Sequence, residues 1–133
     1  MNLTVCIPTF NEELNIKKCL NKLKWIKKIY LRDGNSKDKT VEIAKKFKNT
    51  KIIKLKKNID YTKKLNMLLS FNKNKWVLVL DADYVLTDKL INEIKKINFK
   101  KLEKEKIFGL KIKIYNKIFG KIIEEKIYPK KIL

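Results

Sequence analysis

The chain has 133 residues and a formal net charge of +20, with 34 Lys and Arg against 14 Asp and Glu and no histidine. This length fits one domain with an ordinary core. We expect neither a signal peptide nor a membrane span, because no apolar stretch approaches roughly 20 residues. Arg32 is the only arginine, so the arginine-and-aromatic pattern typical of nucleic-acid binding is absent and nucleic acid is not an expected partner.

The two cysteines lie apart, Cys6 in an apolar run and Cys19 in a helical pattern. This placement predicts reduced core thiols rather than a disulfide or a metal clip. We therefore expect a cytoplasmic protein with a solvated lysine surface, and that charge is compatible with peripheral association with the inner face of the cell membrane.

Short apolar runs alternate with helical patterns, which is typical of a doubly wound α/β sheet. The predicted strands are Leu3–Ile7, Ile26–Arg32, Lys51–Leu55 and Trp76–Leu80. The predicted helices are Leu14–Leu23, Lys39–Phe47, Tyr61–Phe71 and Thr87–Ile97. The fold class is thus an open, mostly parallel sheet flanked by helices.

The ends of these elements carry their own signals. Asn11 can cap the first helix and Ser36 or Asp38 the second. Thr87 can cap the fourth, with Leu86 and Ile91 as a hydrophobic staple. Trp76–Leu80 is uniformly apolar, which predicts a strand covered on both faces.

The last part of the chain is predicted to form a charged connector and a β-hairpin rather than further strand-and-helix units. Lys100–Lys106 is predicted to be a charged connector. Ile107–Tyr115 and Lys121–Tyr128 alternate with a period near two, and Asn116–Gly120 can form the turn of a hairpin. We expect a single domain over residues 1–133, with an α/β part at 1–99 and a hairpin part at 106–133.

Three polar segments follow predicted strands, and the carboxyl ends of parallel strands are where ligands of such sheets bind. The segments are Pro8–Glu12, Asp33–Ser36 and Asp81–Asp83. In extended chain, Asp81 and Asp83 would face one side and Ala82 the other. Two such carboxylates suit Mg²⁺ or Mn²⁺, which complete their shell with water and substrate phosphate. The alternative is that both aspartates are loop or capping residues.

The same three blocks resemble the family 2 glycosyltransferases in order and spacing. The residues that carry the likeness are Cys6–Glu13, Asp33–Thr40 and Trp76–Asp83. The likeness covers about the first hundred residues and implies a GT-A fold that binds a nucleotide sugar. The stretch Tyr115–Lys121 with Tyr128–Pro129 is more loosely similar to bacterial members that add hexoses to a lipopolysaccharide core.

The resemblance implies roles for several residues. Thr9 and Asp33 would lie against the uridine of a UDP-sugar, Asp81 would approach the ribose or sugar, and Asp83 would bind the metal. Pro8, Asn11 and Glu12 belong to the same donor-binding set. The alternatives are helix-start roles for Thr9 and Glu12 and an Asx-turn for Asp33.

Two departures from the family pattern concern the diphosphate and the general base. Leu65 occupies the position where the family has a basic residue, so Lys64 or Lys63 would have to contact the diphosphate. The acidic base of inverting transfer would lie beyond residue 133, which leaves it unidentified and makes the chain resemble a shortened member. Glu124 and Glu125 are expected to be solvent-facing hairpin residues.

Two other functions fit parts of the sequence. Leu78–Asp83 also resembles the first motif of haloacid-dehalogenase-type phosphatases, in which the first aspartate is a nucleophile. The lysine-rich surface would also suit a non-catalytic donor-binding remnant or a polyanion-binding module. The resemblance favours transfer of a hexose from a UDP-sugar to a cell-surface glycan or lipid-linked acceptor.

Overall fold

The computed structural model describes residues 3–54, 76–118 and 121–123, the last three and residues 116–118 by their backbone only. The chain divides into two compact units, Met1–Phe99 and Lys100–Leu133. None of the helices in the described ranges combines the length and the apolar composition that a bilayer span needs.

The first unit contains a parallel sheet of four described strands. They are β1 (Leu3–Thr9), β2 (Ile29–Asp33), β3 (Thr50–Lys54) and β4 (Trp76–Val79). Their spatial order is β3-β2-β1-β4, and every neighbouring pair is parallel. The described helices of this unit are α1 (Ile16–Asn21), α2 (Thr40–Lys45) and α3 (Asp88–Lys96). The sheet confirms the predicted strand-and-helix alternation, with boundaries moved by a few residues.

The main core lies between one face of the sheet and the helices. Alternate residues of β1 point into it, since Leu3, Val5 and Ile7 belong to the main core cluster and side chains alternate along a strand. The predicted apolar face of the first helix is confirmed by the burial of Ile16, Leu20 and Leu23. Cys6 belongs to a smaller cluster with Tyr30.

The prediction that Trp76–Leu80 is covered on both faces is wrong for the described part of the chain. β4 is the outermost of the described strands, and Val79 is 43% exposed. A uniform apolar run shows that both faces tolerate apolar side chains. It does not specify how completely the neighbouring layers cover those faces.

The predicted helix caps have three different outcomes. Asn11 does not cap α1, whose N-cap residue is Asn15. Asp38 accepts from the backbone N–H of Thr40 in the first turn of α2 at 3.0 Å, although the N-cap position itself is Lys39. Thr87 caps α3 as predicted, because its Oγ1 accepts from the Leu90 backbone N–H at 3.2 Å.

The second unit begins with helical structure where a connector was predicted. Helix α4 spans Phe99–Lys104, and Lys101 within it forms an ion pair with Glu105 at 3.7 Å. Lys and Glu four residues apart support a helix, a signal that the interpretation as a connector overlooked.

A hairpin is present but displaced along the chain. Strands β5 (Asn116–Ile118) and β6 (Lys121–Ile123) pair antiparallel, with Ile118 opposite Lys121. The first strand therefore begins where the turn was predicted, and residues 107–115 are not a strand. The helix predicted at Tyr61–Phe71 and the residues Glu124 and Glu125 lie outside the described residues.

Candidate functional site

Two polar side chains are buried side by side at the carboxyl ends of β1 and β2. Thr9 and Asp33 are partners in the parallel register and are 4% and 1% exposed. The Thr9 hydroxyl donates to the Ile7 carbonyl at 3.3 Å, and Asp33 Oδ1 accepts from the Ser36 backbone N–H at 3.1 Å. This bond spans three residues, one more than the Asx-turn that the sequence left open, and it fixes the Asp33 carboxylate in place beside Thr9.

Asp81, Ala82 and Asp83 form a turn rather than the extended segment that was predicted. The backbone N–H of Tyr84 donates to the Asp81 carbonyl at 3.1 Å, which closes the turn. The expected alternation nevertheless results, because both aspartates are exposed while Ala82 is only 3% exposed. The turn therefore exposes two carboxylates to solvent, while Ala82 between them packs in the core.

The aspartate turn follows a strand that pairs directly with β1. The Leu80 backbone N–H donates to the Cys6 carbonyl at 3.0 Å, so the turn starts beside the last residues of β1. Burial raises the pKa of the Cys19 thiol to about 12, and the charges of Asp83 and Glu12 add to this rise. The aspartate turn therefore adjoins the later half of β1.

Three consecutive backbone N–H groups after β1 are occupied by side chains that follow β2. The N–H of Asn11 donates to Ser36 Oγ at 2.9 Å and that of Glu12 to Thr40 Oγ1 at 2.7 Å. The N–H of Glu13 donates to Asp38 Oδ2 at 3.0 Å. These groups are the donors that a loop before a helix could otherwise offer to an anion.

Two bonds run in the opposite direction. The backbone N–H of Lys37 donates to Asn11 Oδ1 at 2.9 Å, and that of Lys39 donates to Glu13 Oε2 at 3.0 Å. We call these five reciprocal hydrogen bonds between residues 11–13 and 36–40 the loop lock. Because each loop supplies both donors and acceptors, neither can move without breaking bonds of the other.

The predicted donor-binding residues fall into three groups. Thr9, Asp33, Asp81 and Asp83 stand at strand ends as expected, and Pro8 is half-buried in β1. Asn11 and Glu12 are used to organise the loops: Asn11 in the loop lock, and Glu12 through a bond of 2.9 Å from Asn15 Nδ2 to its carboxylate. Lys64 and its neighbour Lys63 lie outside the described residues.

Sequence reasoning missed the loop lock itself. The sequence patterns predict Ser36 and Asp38 only as helix caps and indicate no role for Thr40. One signal was present, because a short segment rich in Ser, Asp and Thr offers many side-chain acceptors for backbone N–H groups. Which N–H groups they would reach depends on the neighbouring loop, about 25 residues away in sequence.

The metal-binding prediction can be tested against the donor set. No group of three or more His, Cys, Asp and Glu side chains suited to an ion occurs within residues 3–54 and 76–118. Two exposed carboxylates are nevertheless sufficient for Mg²⁺ or Mn²⁺, which keep several waters and share substrate phosphates. The aspartate turn therefore fits an ion held jointly with a phosphorylated ligand, and does not fit a closed structural metal site.

Comparison with known proteins decides the family. The sequence profile of Glycosyl transferase family 2 matches residues 4–105. The chain belongs to this family. A relative is the SPbeta prophage-derived glycosyltransferase SunS of Bacillus subtilis, 31% identical over 97 residues, which are 71% of this chain and 23% of SunS.

Solved structures show the same fold. A crystal structure of Staphylococcus aureus TarS (residues 1–349) matches with a TM-score of 0.63 and 24% identity, over 78% of this chain and 33% of that one. Glucosyl-3-phosphoglycerate synthase of Mycobacterium tuberculosis, in complex with Mn²⁺, UDP and phosphoglyceric acid, matches with a TM-score of 0.54 and 17% identity, over 62% of this chain and 33% of that one. The predicted GT-A fold is confirmed.

This family 2 chain spans about a quarter of the length of its curated relative and about a third of these solved chains. The family resemblance drawn from the three sequence blocks is confirmed. The phosphatase alternative is left without support, because the matched range 4–105 contains the whole of its motif. The likeness to lipopolysaccharide-core enzymes stays a prediction.

Proposed function

We propose that this family 2 chain binds a UDP-sugar and serves transfer of a hexose to a cell-surface glycan or lipid-linked acceptor, with a divalent cation assisting the departure of UDP. One observation carries the proposal. The buried pair Thr9–Asp33 and the exposed pair Asp81–Asp83 follow three adjacent parallel strands, β2, β1 and β4. This is the sheet edge at which open α/β folds bind nucleotides.

The two pairs suit different parts of such a donor. A buried carboxylate fixed by a backbone N–H can accept hydrogen bonds from a uracil or ribose without moving. Thr9 and Asp33 are therefore assigned to the uridine. The adjoining wall of the site is assigned to Pro8, Asn11 and Glu12. The exposed carboxylates are assigned to the ion, Asp83 as its main ligand and Asp81 also near the ribose or sugar. A bound Mg²⁺ or Mn²⁺ would neutralise charge that grows on the departing diphosphate.

The loop lock argues for a cation as the partner of the diphosphate. In many nucleotide-binding sheets the backbone N–H groups of the first strand-to-helix loop cradle phosphate. Here the N–H groups of Asn11, Glu12 and Glu13 already bind Ser36, Thr40 and Asp38. We therefore assign the phosphate charge to an ion at Asp81 and Asp83 and to lysine side chains such as Lys64.

The reaction itself is displacement at the anomeric carbon by an acceptor hydroxyl. The family resemblance implies inversion of that centre and a carboxylate that takes the hydroxyl proton. The sequence contains no histidine to act as base, and we assign this role to no residue of the chain. We place the protein in the cytoplasm, in peripheral contact with the anionic inner face of the membrane through its lysines.

Calorimetric titration tests the proposal. UDP, several UDP-sugars and, for contrast, ADP are titrated into the chain with and without Mn²⁺. The Asp83→Asn variant should lose the Mn²⁺-dependent part of UDP affinity, roughly tenfold or more, because a charged ligand to the ion is removed. Glu42→Gln is the matched control: it removes the same charge from an exposed residue of α2 that forms an ion pair with Lys46 at 3.3 Å.

Two results would argue against the proposal. Equal binding of UDP and ADP, unaffected by Mn²⁺ and by Asp83→Asn, would remove the assigned site. Strongly salt-dependent binding of polyanions with no nucleotide binding would favour the polyanion-binding alternative. Release of UDP from a UDP-sugar by the wild-type chain would argue against a non-catalytic remnant.

A further inference from the structure

Thr40 is the central residue of the loop lock. It is fully buried, and its Oγ1 accepts from the Glu12 backbone N–H at 2.7 Å while donating to Asp38 Oδ1. The same Asp38 oxygen accepts from the Thr40 backbone N–H at 3.0 Å, and the second oxygen accepts from the Glu13 backbone N–H. Thr40 and Asp38 therefore hold two of the three occupied N–H groups after β1.

The locked segments adjoin the two walls of the candidate donor site. Thr9 lies two residues before the first segment, and the backbone N–H of Gly34, the residue after Asp33, donates to the Thr9 carbonyl at 2.8 Å. Asn11 and Asn35 have φ angles of 52° and 69°. Such left-handed conformations are sparsely populated by residues other than glycine and persist where surrounding bonds hold them.

We propose that Thr40 and Asp38 are positioning residues, which hold both loops in the donor-binding arrangement before a ligand arrives. The inference rests on the proposed function, because it assigns the arrangement to the uridine side of that site. A site ordered in advance loses less conformational freedom on binding, and this gain appears in the affinity for the ligand. Neither residue needs to touch the donor.

The test uses three variants of the chain at a temperature where all are fully folded. Thr40→Val keeps the shape and removes the hydroxyl, which leaves the Glu12 N–H without its acceptor. Thr40→Ser keeps the hydroxyl and is the conservative rescue. Asn49→Ala is the matched control, because Asn49 Nδ2 also ties a connection, to the carbonyls of Leu23 and Ile26 at 3.1 and 2.8 Å, but before β3, at the opposite end of the sheet.

Amide hydrogen exchange of the ligand-free chain is the first measurement. In Thr40→Val, exchange should accelerate roughly tenfold or more at residues 11–13 and also at Lys37 and Lys39. Loss of the buried acceptor lowers the free energy that is needed to open both loops together. Thr40→Ser and Asn49→Ala should keep the protection of both loops. Acceleration confined to the Glu12 amide would overturn the inference, because it would mean one broken bond rather than an opened lock.

The dissociation constant of UDP in the presence of Mn²⁺ is the second measurement. It should rise roughly tenfold in Thr40→Val and stay near the wild-type value in Thr40→Ser and Asn49→Ala. Lower global stability alone does not change this constant while the chain is fully folded. An unchanged constant in Thr40→Val, despite faster exchange in both loops, would overturn the positioning role.

The two measurements distinguish a failure of this inference from a failure of the proposed function. If the wild-type chain binds no uridine nucleotide, the proposed function fails and the positioning role fails with it. The hydrogen-exchange measurement still decides in that case whether the loop lock exists. If the wild type binds UDP and the variant differs in neither measurement, only the positioning inference fails.

Discussion

Gly34 follows β2 directly, and its backbone N–H donates to the Thr9 carbonyl at 2.8 Å. A Cβ at this position would lie 3.3 Å from the Thr9 carbonyl oxygen and 3.4 Å from Phe10 side-chain atoms. We expect Gly34→Ala to lower the free energy of unfolding by about 1 kcal/mol, because backbone must shift to relieve this contact. Urea unfolding followed by circular dichroism measures the change.

Gly109→Ala is the matched control for this substitution. A Cβ at Gly109 meets nothing within 4 Å, so the new methyl group should fit without loss of stability. Equal destabilisation by both substitutions would show that the close approach at Gly34 does not matter.

Asp38 should give the chain a specific dependence on pH. Loss of solvent tends to raise the pKa of its carboxyl, but hydrogen bonds from the Thr40 hydroxyl and from the backbone N–H groups of Thr40 and Glu13 outweigh this and lower the pKa below the ordinary 3.8. A carboxyl with a lowered folded-state pKa stabilises the fold above its unfolded-state pKa. That contribution is lost as the pH falls through the folded-state value.

The measurement is the difference in unfolding free energy between wild type and Asp38→Asn. We expect wild type to be the more stable at pH 6 and the difference to shrink as the pH falls below about 3.8. A difference that does not change with pH in this range would contradict the assigned hydrogen bonds.

Single residues also show where sequence patterns stop being informative. A local hydrogen bond from the Asp33 carboxylate could be predicted, because its partner Ser36 is three residues away. The role of Asn11 could not, because its partner Lys37 is 26 residues away. Local patterns predict local hydrogen bonds, whereas bonds between loops require knowledge of which strands are neighbours.

At the scale of elements, α3 has the best-defined start. Thr87 accepts from the Leu90 N–H, and Leu86 and Ile91 are buried in the core on either side of it. We expect Thr87→Ala to lower the free energy of unfolding by about 1 kcal/mol and Thr87→Ser to restore most of it, because the hydroxyl satisfies an N–H that the helix leaves unpaired. Thermal and urea unfolding of both variants measure this, and equal losses would contradict the cap.

The strands and helices differ in how far the sequence predicts them. All four described strands of the sheet lie where apolar runs predicted them, because a strand in such a sheet needs an apolar run whatever its neighbours are. The position of β4 at the rim of the described sheet was missed, since that depends on pairing. The hairpin was found but displaced, because a period of two does not fix which residues turn.

At the scale of the whole molecule, the lysine-rich sequence has a net charge of +20, and both cysteines lie in the core. The thiols of Cys6 and Cys19 are buried and free, as predicted, and burial raises the pKa of Cys6 to about 11. Most of the candidate site was also predictable at this scale, because the carboxyl ends of parallel strands meet at one edge. The turn at Asp81 and the loop lock were not, since both depend on backbone bonds that composition does not encode.

In the proposed function, Asp81 and Asp83 hold a divalent ion together with a nucleoside diphosphate. Electron paramagnetic resonance of Mn²⁺ tests it directly, because the signal of the free aquo ion falls when the ion binds protein. In the presence of UDP, wild type and Glu42→Gln should lower this signal beyond the effect of UDP alone, and a chain carrying Asp81→Asn and Asp83→Asn should not. An equal fall of the signal with that double variant would contradict the account.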